Sequence, residues 1–175
     1  MKHITQGTLP SWQINTSLRV LPYVGAYLDA SVLGSLSAEQ VGALTTTQIA
    51  ALDAADLTAL STVQVVALGS AQLGALTATQ VAALSTAQVA AIEVADLPGL
   101  STTALVALST DQVKALSAGQ IQALTTLQVS KLSATQVAAL TTAQVAAFEV
   151  ADVAALSTAA IVGLTTAQVK ALTIA

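Results

Sequence analysis

The sequence predicts an all-α solenoid: a superhelix of very short helices built from an octapeptide repeat over residues 36–175, preceded by a non-repeat arm or cap over 1–35. Three observations predict it. An apolar residue recurs at every eighth position from Leu36 to Leu172, always Leu except at Ile92 and Phe148, with no insertion to break the phase. The sixth residue of each octad is Val, Ile or Leu in every complete copy, from Val41 to Val169. The second and fifth residues are most often Ser/Thr and Gln, which gives the consensus L-[ST]-x-x-Q-[VIL]-x-A. A fixed period of this kind means that one structural unit is stacked many times.

The helical assignment follows from spacing. Apolar residues at positions one, six and nine lie five and three apart, which is not the alternation of a strand. Abundant Ala, Leu and Gln favour helix. A single straight helix fails, because eight residues at about 100° each leave the apolar stripe drifting by about 80° per repeat. The hydroxyl–glutamine pair resolves the conflict. Ser or Thr followed three residues later by Gln is the capping-box signature, as in Ser85 with Gln88, Thr141 with Gln144 and Thr165 with Gln168. A cap every eight residues starts a new helix every eight residues, each predicted to run about two turns, or ~12 Å. Helices so short persist only by sharing a core, for which Leu84, Val89, Leu140 and Val145 are representative members. Ala at position eight lets neighbours approach closely.

A longer period overlies the octads. Residues 76–116 align with 132–172, and 36–76 align with 76–116, so the array grew by duplication of multi-octad blocks. The shared marker is an acidic octad: Asp53/Asp56, Glu93/Asp96 and Glu149/Asp152. Each pair has i,i+3 spacing and is expected in the first turn of a helix. There the first acid would serve as N-cap and the second would complement the positive helix end.

The flanks differ from the array. Pro10, Trp12, Pro22, Tyr23 and Tyr27 place every Trp and Tyr in the N-terminal segment. That segment is expected either to cover the first apolar face of the solenoid or to dock on a neighbouring subunit. In the second case Trp12, Tyr23 and Tyr27 would be inter-subunit contacts. At the other end Thr173, Ile174 and Ala175 fall in mid-octad, and an uncovered apolar end there would invite end-to-end stacking.

Few residues suit chemistry. With no Cys and a single His, His3, the sequence offers no thiolate, no cysteine–zinc pattern and no histidine base beside its many hydroxyls. A calcium site needs six to eight oxygens, and no glycine-rich acidic loop supplies them. No phosphate-binding or dinucleotide motif is present. The expectation is a protein that is not an enzyme and has no cofactor, metal or small-molecule substrate. A net charge of −4 argues against phosphate neutralisation and hence against nucleic acid. Polar residues recur too often for a membrane span or for the apolar core of a signal peptide.

The remaining feature is the surface. Hydrophobic residues make up 54% of the chain and charged residues only 8%. Positions three, four and seven, expected to face outward, hold mostly Ala, Thr and Val, with Lys114, Gln122 and Lys170 as occasional exceptions and Lys131 beside them at position eight. A solvated helix face ordinarily carries charge, so positions such as Ala90 and Ala146 are expected to pack against other subunits. The partner would be a second copy in a homo-oligomer or polymer. Two alternatives are a repeat scaffold whose groove binds peptide, in the manner of an adhesin, and an ice-binding face made of regular Thr/Ala rows. The octads LTTAQVAA (140–147) and LSTDQVKAL (108–116) resemble the short Leu-Ser/Thr-x-x-Gln-Val repeats of bacterial surface and exported repeat proteins. That resemblance implies a structural or adhesive role at the cell surface or outside the cell, and it carries over no functional residue.

Overall fold

The structure, a computed structural model, describes residues 28–172. His3, Trp12, Tyr23 and Tyr27 lie outside the described residues, as do Thr173, Ile174 and Ala175. Among the described residues are seventeen α-helices of four to six residues, one 3-10 turn, Leu97–Gly99, and no strand.

Each octad divides into a helix and a corner. In the octad that starts at Leu84, Leu84 (φ −61°, ψ 143°) and Ser85 (φ −70°, ψ 159°) are extended, and the helix Thr86–Ala91 follows. The Ser85 hydroxyl accepts from the Gln88 N–H at 3.2 Å, and Gln88 Oε1 accepts from the Ser85 N–H at 2.8 Å. The same reciprocal pair joins Thr141 to Gln144 and Thr165 to Gln168. Each preceding helix closes when the first-position N–H reaches the sixth-position carbonyl, as Leu84 N–H does with Val81 O at 3.2 Å. No residue in the described chain has positive φ, so the corners need no left-handed glycine cap.

The helices are shorter than the two turns expected. Position one must swing its leucine into the core, and position two must stay extended to cap. Two residues in eight therefore never enter the helix, and the remaining four to six span roughly 6–9 Å. At an isolated cap the cost of its loss is modest. Thr141→Val removes the acceptor for the Gln144 N–H at an exposed position and is expected to lower stability by ~1 kcal/mol, measurable by urea denaturation.

Helices pack on those three octads away: Ala78–Ala83 lies against Ala54–Leu57 on one side and Thr102–Val106 on the other. Side-chain hydrogen bonds between turns span 26 to 31 residues. One superhelical turn therefore takes between three and four octads. From Leu28 to Val145 the first- and sixth-position side chains point inward and form one continuous core that includes Leu84, Val89, Leu140 and Val145. Ala75 and Ala91, at position eight, are partly buried against it. No short helix here could hold its shape alone; each is stabilised by the turns before and after it.

Within the described residues the coil extends one octad before residue 36. Leu28 and Leu33 are buried in positions one and six, and the Asp29 carboxylate accepts from the Val32 N–H at 2.9 Å to cap the helix Ala30–Ser35. Asp in place of Ser/Thr and Val32 in place of Gln disguise this octad in the sequence. Pro98 changes another: lacking an N–H, it cannot close an α-helical turn, and the octad from Ile92 carries only the 3-10 turn.

Candidate functional site

Glutamine at position five does more than complete the capping box. In Gln120, Oε1 accepts from the Ser117 N–H at 2.8 Å. On the same amide, Nε2 donates to Ile92 O at 2.7 Å and Val89 O at 3.3 Å on the preceding turn. Gln64 repeats the arrangement with Leu33 O at 2.8 Å and Leu36 O at 2.7 Å. The column continues through Gln72, Gln80, Gln88, Gln112, Gln128, Gln136, Gln144 and Gln168, each joined to carbonyls 28 and 31 residues earlier. Those carbonyls belong to helix ends and corners; the sixth-position ones, such as Val81 O, already accept from the first-position N–H, and the glutamine adds a second donor. One buried side chain thus satisfies the start of its own helix and the end of another, and among the described residues no buried side-chain polar atom is left unpaired.

The acidic octads place Asp where the others have Gln, and the expectation for them needs correction. Aspartate is one methylene shorter and lacks the amide group with which glutamine donates. Asp56 Oδ1 accepts from the Ala30 N–H at 3.0 Å, and Asp96 Oδ1 from the Ser70 N–H at 2.8 Å. Both therefore cap a helix on the preceding turn instead of merely complementing their own. This suits the helix Ser70–Ala75, whose first flanking residue, Gly69, has no side chain to cap with. The fit is tight there, since a Cβ on Gly99 would collide with the Ser70 carbonyl and hydroxyl oxygens. Asp53 stands at an N-cap position without a side-chain cap bond. Glu93 precedes a turn and the 3-10 segment instead of an α-helix. In the third pair, the Glu149 N–H donates to Asp152 Oδ2 at 3.3 Å, and Asp152 is buried. Among the described residues no three acidic, histidine or cysteine side chains gather in one place.

The outer surface is aliphatic and sparsely charged. Ala90 and Ala146 are exposed, as are Lys114, Lys131 and Lys170. Val63 is 68% exposed and Leu127 63%, with Val66, Val94, Val106 and Val150 also open to solvent. Position three, expected to face outward, is half-buried at Ala38, Ala54, Ala78 and Ala134, because the adjoining turn overlaps the helix start. Among the described residues no helix is long and apolar enough to cross a membrane.

The family model described as the ALTTAQ repeat matches residues 49–86, 89–126 and 145–175, more than half of the chain. No curated protein and no solved structure matches it.

Proposed function

The chain belongs to the ALTTAQ repeat family, and from that premise we propose that it is a structural, self-assembling repeat protein with no enzymatic activity, one that builds a fibre, tube or layer. The observation that carries this reading is the outer face of the coil. Valines, a leucine and alanines stand where a solitary soluble rod would carry charge, and extended aliphatic surface of this kind marks an interaction site. The likeness of its octads to those of bacterial surface and exported repeat proteins supports an extracellular bacterial setting.

The test places charge on the faces without touching the core. Ala90→Glu together with Ala146→Glu is expected to dissolve assemblies seen by sedimentation velocity while the helical circular dichroism stays intact. Persistence of both the assemblies and the ellipticity would show that these faces do not pack.

A further inference from the structure

Among the described residues the hydrogen bonds that join one turn to the next all run through the side chain at position five. That residue therefore decides how firmly an octad is tied to the turn before it, and the ties are uneven. In the octads that start at Leu68, Leu76 and Leu84, Gln72, Gln80 and Gln88 all reach across. Gln120, Gln128 and Gln136 do the same for the octads from Leu116, Leu124 and Leu132. In the three octads between these, which start at Ile92, only Gln112 makes the full tie, to Val81 O and Leu84 O. Asp96 accepts one bond from the Ser70 N–H, and Ala104 has nothing to donate. The stretch from Leu140 repeats the pattern. Gln144 reaches Val113 O and Leu116 O, Asp152 bonds within its own octad, and Ala160 has no donor. The two gaps fall at matching places in the duplicated blocks 76–116 and 132–172.

Packing still closes these seams, since Leu97, Ala104 and Leu105 are fully buried. What differs is the cost of parting the turns. At a full tie, parting exposes apolar surface and also breaks the amide's bonds to two carbonyls. Beside Ala104 no amide bond is broken, and parting admits water to the carbonyl of the buried Leu76. We propose that these two seams are joints built into the coil. Adjacent turns part first beside Ala104, and likewise beside Asp152 and Ala160, with Gln112 and Gln144 as the pivots. The fully tied stacks on either side move as units. The joints give the coil defined places to bend under load, and they belong to the single molecule, independent of self-assembly.

Three amides make a matched set for the test. Val89, Leu105 and Val113 are all buried, and each donates at 2.9–3.0 Å to the carbonyl of an N-capping serine, Ser85, Ser101 or Ser109. Val89 and Val113 follow a glutamine, whereas Leu105 follows Ala104. Hydrogen exchange of the full chain, corrected for intrinsic rates, is expected to be about tenfold or more faster at Leu105 than at the other two. Ala104→Gln restores the donor and should slow Leu105 by a similar factor. Movement is read separately by spin labels, which cysteine pairs carry uniquely because the chain has no Cys. Thr79→Cys/Thr103→Cys spans the Ala104 seam, and Thr103→Cys/Leu127→Cys spans the seam tied by Gln128. Both pairs join exposed fourth positions three octads apart, so dipolar broadening should show the wider spread of separations in the first pair. Equal protection of the three amides, or an equal spread for the two pairs, overturns the proposal. So does a fast Leu105 that a folded Ala104→Gln variant leaves unchanged. Should that variant lose its ellipticity, the comparisons among the three amides and between the two label pairs still decide.

Discussion

Replacing Gln120 by Glu is expected to destabilise the coil by ~2–4 kcal/mol at neutral pH, because it removes two buried donors and sets a carboxylate against backbone carbonyls. The substitution is nearly isosteric. Its oxygen still accepts from the Ser117 N–H, so the capping half of the residue survives. What disappears is the link to Val89 O and Ile92 O on the preceding turn. The control is Ser117→Ala, which removes the hydroxyl that accepts from the Gln120 N–H and leaves the inter-turn link; it should cost only ~1 kcal/mol. The pH dependence has a definite sign. Burial beside carbonyls raises the pKa of the introduced carboxyl in the folded state above its value in the unfolded chain, so the folded protein binds the proton more tightly. The extra stability from protonation is fully present below the ordinary carboxylate range and is lost as pH rises through the raised value. The deficit of Gln120→Glu relative to wild type should therefore shrink on acidification. Chemical denaturation of the three chains at several pH values measures it, and a deficit equal to that of Ser117→Ala at neutral pH would leave no energetic role for the inter-turn bonds.

Truncating isoleucine at position six separates the interior of the coil from its end. Ile121 is fully buried, and Ile121→Ala is expected to cost ~2–5 kcal/mol through lost transfer energy and the cavity left behind. Ile161 occupies the same octad position on the last described turn, where nearly half of its surface is open. Ile161→Ala should cost less than half as much in dilute solution, where neighbouring copies do not cover it. Long repeat arrays can unfold in parts, so hydrogen exchange resolved by residue is the better measurement. Loss of protection should spread from Ile121 to the turns on both sides and stay confined to the end for Ile161. Equal costs at the two sites would contradict the difference in burial between Ile121 and Ile161.

The sequence displays the local half of this fold. The Ser85–Gln88 box announces a helix start through two residues three apart, and the constancy of Leu at position one and Val at position six marks the inward face. Both signals are contained within one octad. The other half depends on which octads meet, and that is set by the angle at the extended corners, which no residue type reports. The second role of Gln88, donation to Leu57 and Leu60, is therefore hidden beneath its visible role in the capping box. A signal for it exists: position five stays Gln far more strictly than positions three and four, although the cap needs only an acceptor there. The acidic octads are marked by the same column, since Asp56, Asp96 and Asp152 all replace that glutamine. Their bonds across turns, from Ala30 to Asp56 and from Ser70 to Asp96, again require the superhelical register. Helix length is obscured for a related reason, because an eight-residue period does not show how many residues the corner uses.

The surface is legible as composition but not as geometry. The scarcity of charge points to packing between molecules, and Ala90 and Ala146 do face outward. The exposure of Ile161 is not announced by its residue type, since Ile121 at the same octad position is fully buried.

The measurement that bears most directly on the proposed role is negative-stain electron microscopy of the purified protein, combined with light scattering across a dilution series. Filaments, tubes or sheets that give way to smaller species on dilution are the expected result. A uniform 17.4 kDa monomer at every concentration would contradict it.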